Sequence, residues 1–411
     1  MPAAGVGRGG RGVLIAGLLA SLCAGSAAYA APPNSPDTLQ WILSETLAYD
    51  DNLFRLPTDV DPATSNGNSD RGSLIRTDTA GFAWDKPYSL QHFHVDASVE
   101  QHHYSNHDFL DFTGVNGLLA WDWSLTPHLT GVISADRKQV LNSFADYRNQ
   151  GTRNVRTNQS RVAAADYEAL GSWHLIAAAI DYSSVSDDTS QPIEDAVRSH
   201  GAQAGVKYVF SSTSYFSYVE RSENGDYPGH EVQPATLIDS EFHQRAHELQ
   251  AVWAFSDNTV LSGRLTNSER RHPNFSQRNF SGSAGRLDLN WKPTGKTSIV
   301  ASAGRDFATF QTAYSNYIAT DAVSIAPTWQ MTAKTALKAK LVHSSRDFLG
   351  EPFGPVARRR DNINSAQLEL DWDAMRSINV AAQVQHDRRN SSYPGFDYAD
   401  TIVMLNLRLA F

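Results

Sequence analysis

The charged residues of this sequence that could handle a polar substrate stand at every second position of otherwise apolar segments. Arg264 alternates with Gly263 and Leu265. Arg286 and Asp288 alternate with Leu287 and Leu289, Lys338 and Lys340 with Leu337, Ala339 and Leu341, Glu369 and Asp371 with Leu368, Leu370 and Trp372, and Arg408 with Leu407 and Leu409. A two-residue period puts charges on one face of a strand and hydrocarbon on the other. These eight side chains are therefore expected to line a water-filled passage. Guanidinium forks and carboxylates hold sugar hydroxyls and carboxylates weakly enough for a chain to slide past. The competing role is structural: Arg264 with Arg286 and Asp288, and the two lysines with Glu369 and Asp371, sit on neighbouring expected strands and can neutralise one another.

Other chemistry is poorly supplied. No nucleophile elbow, phosphate loop or paired-histidine zinc helix occurs. His92 and His94 share a face with His102, and His243 shares one with His247, while His103 and His107 lie near a loop. Two-residue spacing on a strand can chelate a metal. With no carboxylates assigned beside them, these rings are expected to serve as uncharged, hydrogen-bonding lining. No catalytic residue, metal or cofactor is expected.

The elements that must carry these residues are strands. The stretch Asp400 to Phe411 shows the pattern most cleanly, with Val403, Leu405, Leu407, Leu409 and Phe411 on one face and Asn406, Arg408 and Ala410 on the other. Beyond residue 30 no run of eighteen apolar residues occurs, so no helical span is expected. Only 41% of residues are hydrophobic. A barrel needs hydrocarbon only at alternate positions, so that composition suits it.

Aromatic residues recur beside short connections at Trp84, Trp123, Trp173, Phe210, Trp253, Trp291, Trp329, Trp372 and Phe411, spaced by 37 to 50 residues. Each marker is expected to stand just before a turn, such as Asp85-Lys86-Pro87, Pro127-His128, Asp257-Asn258 or Pro293-Thr294-Gly295. Midway lie longer polar connections: Asp50 to Gly72, Asn142 to Arg156, Ser186 to Ala196, Glu223 to Asp239 and Phe348 to Arg360. Nine markers predict nine hairpins. The expected fold is all-β, an antiparallel transmembrane β-barrel of about eighteen strands, with short periplasmic turns, long extracellular loops and both termini periplasmic. The indoles would ring the periplasmic edge, and Tyr104, Tyr147, Tyr182, Tyr227, Tyr314 and Tyr393 would supply a second belt. A period near forty with Trp-Asp pairs also suggests a propeller, but each blade needs four short strands where this period holds two long ones.

Residues 1–30 read as an export signal: Arg8 and Arg11, an apolar run from Val13 to Cys23, then Ala28-Tyr29-Ala30. Residues 31–411 would then be a single barrel domain. Without Arg8 and Arg11 the basic count falls from 35 to 33 against 44 acids, a net charge of −11. That argues against nucleic-acid binding. The only cysteine lies in the signal, so the mature chain offers no disulfide.

The first strand runs into Tyr49-Asp50-Asp51-Asn52-Leu53-Phe54-Arg55-Leu56-Pro57. This resembles the opening signature of EpsL-type outer-membrane proteins of exosortase-associated exopolysaccharide loci. The resemblance implies a part in moving or anchoring a secreted polysaccharide, with no catalytic or binding residues to carry over. In local terms Asp50 and Asn52 suit a turn, while Leu53 and Phe54 tuck against the rim. The expected partners are outer-membrane lipid and lipopolysaccharide, polysaccharide, the barrel-assembly machinery and periplasmic export components. The expected location is the outer membrane of a Gram-negative cell. A general porin-like channel and a non-transporting surface adhesin are the alternatives. Loop charge is uneven: acids at Asp50, Asp51, Asp59, Asp61 and Asp70 and at Asp187, Asp188, Glu194 and Asp195 precede bases at Arg270, Arg271, Arg358, Arg359, Arg360, Arg388 and Arg389. Such a basic rim would attract an acidic polymer.

Overall fold

Hydrocarbon offers no partner to a backbone N–H or C=O, so strands that cross it must form a sheet without edges. The computed structural model describes residues 38–63, 70–146, 152–187, 196–211, 213–312, 314–354 and 358–411, and the expected export segment lies outside these. Eighteen antiparallel strands follow one another around a closed ring. They are β1 (Thr38–Asp50), β2 (Ser73–Tyr88), β3 (Gln91–Tyr104), β4 (Phe112–Thr126), β5 (Leu129–Leu141), β6 (Val155–Leu170), β7 (Trp173–Ser186), β8 (Val197–Ser211) and β9 (Ser214–Asp226). The second half comprises β10 (Glu241–Ser256), β11 (Thr259–Arg271), β12 (Phe280–Thr294), β13 (Thr297–Thr309), β14 (Tyr317–Gln330), β15 (Thr335–Leu349), β16 (Arg360–Met375), β17 (Ile378–Ser391) and β18 (Tyr398–Ala410). The seam joins β1 to β18, from Ile42 opposite Ala410 to Asp50 opposite Ile402. Trp41 and Phe411 extend it by exchanging backbone hydrogen bonds of 2.8 and 3.1 Å.

The short connections stand at one end and the longer ones at the other, as the alternation predicts. Some details differ. Asp85, Lys86 and Pro87 belong to β2, whose turn comes at Ser89 and Leu90, with Ser89 at φ +56°. Pro293 and Thr294 likewise belong to β12, whose turn comes at Gly295 and Lys296. Pro87 lies beyond the last described β1 pairing, Thr38 opposite Asp85, so its missing N–H breaks no bond of that ladder. Trp173 opens β7 just after the turn at Gly171 (φ +57°), where the sequence pattern placed it before a turn.

Register fixes which side chains look outward. Going up from the short-turn end, β10 presents Phe255, Trp253, Ala251 and Leu249 before reaching His247, and β16 presents Trp372, Leu370, Leu368 and Ala366 before Asn364. Four alternate positions on a tilted strand span roughly 20 Å, comparable with the ~25 Å apolar band of an outer-membrane barrel. Trp41, Trp173, Trp253, Trp291, Trp329 and Trp372 ring its lower edge, each 43–52% exposed, so these indoles are not packed in a dry interior.

The upper edge departs from expectation. Tyr104 and Tyr227 are buried among the outer loops, Tyr314 and Tyr393 stand in exposed loops, and Tyr147 lies outside the described residues. Tyr182, opposite Ser160 on β6, falls on the inward face of β7. No tyrosine belt forms from this set. A polar collar marks the level instead, with Arg161–Asp181 (3.8 Å), Glu220–His247 (3.4 Å) and Arg305–Asp321 (2.5 Å) on the outer face. Glu45, between Leu43 and Leu47, also looks outward and pairs with Arg76 at 3.2 Å.

Leu368→Arg puts a charge in the middle of the band and is expected to destabilise the barrel by about 2–4 kcal/mol, whereas Gln367→Arg, one residue away on the inner face, costs less than about 1 kcal/mol. Equilibrium unfolding of the two variants in lipid vesicles measures the difference, and equal losses would refute the assigned faces.

Candidate functional site

All eight sequence-predicted residues alternate with outward-facing neighbours and so fall on the inner wall, but only some meet. Lys338 Nζ donates to Glu369 Oε1 at 2.9 Å and to Asp371 Oδ2 at 2.6 Å, and Asn379 Nδ2 donates to Asp371 Oδ1 at 2.6 Å. Arg286 Nε donates to both oxygens of Asp288 at 2.9 Å, and Ser302 Oγ donates to Asp288 at 2.5 Å. Arg264 stands directly opposite Arg286, so the expected grouping fails there. Its nearest carboxylate is Asp306 on β13, at 3.9 Å. Lys340 is exposed and has no partner among the described residues. Arg408 lies opposite Ser44 and opposite Asn379, the residue that donates to Asp371 of the lysine cluster.

The histidines are placed differently from the sequence reading, which found no carboxylate beside them. His94 hydrogen-bonds Asp85 Oδ1 at 2.9 Å and Asp96 Oδ2 at 2.5 Å, and His92 lies 3.3 Å from Asp85. The register of β2 against β3 sets Asp85 opposite His94, a pairing that spacing within one strand does not reveal. His174 meets Asp166 at 2.6 Å, and Lys207 closes on the same carboxylate. His243 and His247 share a face, as their spacing implies, but it is the outer one.

The long-loop end holds the structure that sequence reasoning missed. The signature after β1 folds inward. The Asn52 N–H donates to Asp50 Oδ1, and Asn52 Nδ2 donates to the carbonyls of Leu56 and Ala399, each at 2.9 Å. Arg55, at φ +54°, pairs with Asp50 at 2.8 Å and with Asp400 of β18 at 3.3 Å. This turn drives Phe54 and Leu56 into a buried cluster with Tyr104, Leu110 and Phe144. The Phe54 ring centroid sits 5.0 Å from that of His107 and 4.8 Å from that of Phe144.

Phe144 belongs to the loop between β5 and β6, and two residues later that loop reaches a wall six to eight strands around the ring. Asp146 accepts from Arg346 at 2.9 Å, Arg389 at 2.8 Å and Arg359 at 3.2 Å, while Arg389 also donates to the Ala145 carbonyl at 2.9 Å. Arg359 and Arg389 share Asp361, whose other oxygen accepts from Ser391 at 2.5 Å. Arg359 stacks over Phe396 at 3.8 Å and Phe348 at 4.2 Å, and Arg389 is fully buried. Three guanidiniums thus hold a carboxylate brought by a loop from far around the ring. Burial opposes its charge, but Arg346 and Arg389 prevail and hold Asp146 below the ordinary aspartate value of 3.8. The basic rim is otherwise largely neutralised: Arg358 pairs with Glu351 at 2.6 Å, Arg360 with Asp347 at 2.5 Å and Arg271 with Glu269 at 2.8 Å. Of the acidic loop residues, Asp188, Glu194 and Asp195 lie outside the described residues.

A second loop group is built on Arg278, fully buried, which donates to the carbonyls of Leu237, Ser315, Thr236 and Thr312 at 2.8–2.9 Å. Beside it, burial and the neighbouring Arg270 push His272 down to about 4.

A family model described as "Putative beta-barrel porin 2" matches residues 268–411, from the upper part of β11 to the carboxyl terminus. The chain is an outer-membrane β-barrel, porin-like in architecture. Solved structures similar to it include OccK1 (OpdK) of Pseudomonas aeruginosa, with a TM-score of 0.49 at 10% identity over 91% of this chain and 99% of that one. OccK2 (OpdF) of the same organism, solved in complex with glucuronate, scores 0.48 at 9% identity over 91% and 98%. The ferric enterobactin receptor PfeA of P. aeruginosa, as a mutant, scores 0.45 at 8% identity over 91% and 80%. No curated protein matches the sequence.

The two loop groups should respond to acid separately. A histidine with a depressed native value leaves the unfolded chain holding more protons between about 6.5 and 4, so stability from His272 is full above 6.5 and is lost as the pH falls towards 4. Asp146, shifted the other way, contributes above the unfolded value of 3.8 and fails only at more acid pH. Amide protection factors, corrected for the intrinsic slowing of exchange in acid, should therefore fall at pH 5 around Tyr227 and His272 relative to pH 7.5 and stay unchanged around Asp146.

Proposed function

We propose that the barrel is a passive outer-membrane pore that helps export, or hold at the surface, an acidic exopolysaccharide. The observation that carries this reading is the Asp146 carboxylate gripped by Arg346, Arg359 and Arg389 at the mouth. A uronic-acid carboxylate has the same charge and the same two oxygens, so it competes for the same guanidiniums. An eighteen-stranded barrel is wide enough to hold an aqueous channel. Further down, exposed Lys340 and the paired charges of Arg286–Asp288 and Lys338–Glu369–Asp371 offer acceptors and donors to sugar hydroxyls. The opening signature's resemblance to EpsL-type proteins supports a polysaccharide as cargo. On this reading Arg264, Arg286, Asp288, Lys338, Lys340, Glu369, Asp371 and Arg408 line the route, and periplasmic and inner-membrane partners supply the driving force. A second reading, a general porin-like channel, is favoured by the family-model match over residues 268–411.

In planar bilayers the purified protein should conduct, and an oligouronate should interrupt the current at concentrations at least tenfold lower than a neutral oligosaccharide of equal length. Asp146→Asn should raise the anion-to-cation permeability ratio several-fold. Equal interruption by the two sugars would leave only the general channel, and a barrel without conductance would remove both readings.

A further inference from the structure

The outer face of β14–β17 carries a groove of about 540 Å³ at the upper edge of the apolar band. Two adjacent rows of side chains build it. The lower row runs Ile325, Leu341, Ala366, His386 around the ring, and the upper row runs Val323, His343, Asn364, Arg388. Ala366 has only a methyl group between the larger Leu341 and His386, which leaves a hollow open to the lipid. One side of the groove, Val323, Ile325 and Leu341, is exposed hydrocarbon. The other side is basic.

The basic side is only partly satisfied by the described residues. Arg305 on the same collar is tied to Asp321 at 2.5 Å, Arg161 lies 3.8 Å from Asp181 and Arg76 lies 3.2 Å from Glu45. Arg388 is exposed and has no ion pair or hydrogen bond among the described residues. His343 engages Asn364 through Nδ1 at 2.8 Å, and His386 engages Thr401 through Nδ1 at 3.1 Å, so each keeps its Nε2 for another partner. Asp321, two residues from Val323 on the hydrocarbon side of the groove, is already taken by Arg305.

An unpaired guanidinium at the level where acyl chains give way to headgroups attracts an anion. An adjoining open hydrocarbon hollow selects an anion that carries a chain. We propose that this groove seats the phosphorylated glycolipid of the outer leaflet, lipopolysaccharide, with a phosphate on Arg388, His343 and His386 and an acyl chain over Ala366. The inference is independent of what passes through the lumen.

The test is native mass spectrometry of the full barrel in detergent, titrated with diphosphorylated lipid A and with its phosphate-free counterpart. The wild-type protein should retain one diphosphorylated lipid A and bind the phosphate-free form at least tenfold more weakly. Arg388→Gln, which removes only charge, and Ala366→Phe, which fills the hollow and keeps the charge, should each weaken retention about tenfold. Heat-modified gel mobility reports that each variant is a folded barrel. Arg305→Gln, at a paired collar position, should change nothing. Undiminished retention in Arg388→Gln, equal binding of the phosphate-free lipid, or the same loss in Arg305→Gln would overturn the assignment.

Discussion

Hydrocarbon cannot exchange hydrogen bonds with a peptide group, and the architecture follows from that one deficiency. Every amide between the indole ring and the collar has to be matched within the sheet, so the last strand must return to the first. The seam from Ile42–Ala410 to Asp50–Ile402 does this, and the Trp41–Phe411 backbone exchange carries it to the lower rim. Closure sets the ring at eighteen strands, and a ring of that size encloses more space than inward side chains can fill. Water therefore occupies the wall's inner side and tolerates Lys338, Glu369 and Arg286 there. The same water screens them, so wall pairs such as Arg286–Asp288 contribute little to stability. Shaping the passage falls to the loops.

Two loop groups do this with different chemistry. One gathers Phe54, Leu56, Leu110 and Phe144 into a small apolar core and reaches the far wall through the Asp146 carboxylate and the Ala145 carbonyl. The other surrounds Arg278, whose guanidinium is satisfied by four neutral carbonyls and whose affinity for its proton burial lowers to about 10. Carbonyls from two loops that converge on a buried cation of a third hold each other in place, and losing any of them leaves an unmatched donor in the interior. The first group is joined to the opposite wall at one ionic point. A rearrangement of the mouth costs least there.

The sequence made the ring legible and its height and mouth illegible, for physical reasons. Alternation states which face a residue occupies, so spacing alone assigns Leu405 against Asn406 and Leu368 against Gln367 to opposite sides of the wall. The nine aromatic markers set the strand count because each reports one hairpin of two strands. Alternation does not state depth. Arg161, Glu220, His247 and Arg305 keep the outward phase of the strands below them, and only the register across neighbours shows that they form a collar above the apolar band. Tyr104 and Tyr227, expected at that level, are drawn inward because a phenol buried beside loop aromatics covers more hydrocarbon than one left at the rim. Asp146 gave no signal at all. Its partners lie 200 to 243 residues away, and they become neighbours only once the ring has closed.

That dependence on closure explains why the arginine group is held in place by the wall. Arg359 lies between the rings of Phe348 and Phe396, and Arg389 is held by Asp361 while lying 5.7 Å from the Phe396 centroid. Phe348 in turn packs edge-on against Phe310, 5.2 Å away, at the margin of the other loop group. The guanidiniums are thus braced from the wall side, by strands and aromatic rings outside the β5–β6 loop. Withdrawal of Asp146 removes one anion and leaves the cations where they are, with ring faces to bury their planes and open edges toward the mouth. Under the proposed function, an incoming carboxylate meets donors already in position, and most of the cost of ordering them was met when the barrel folded.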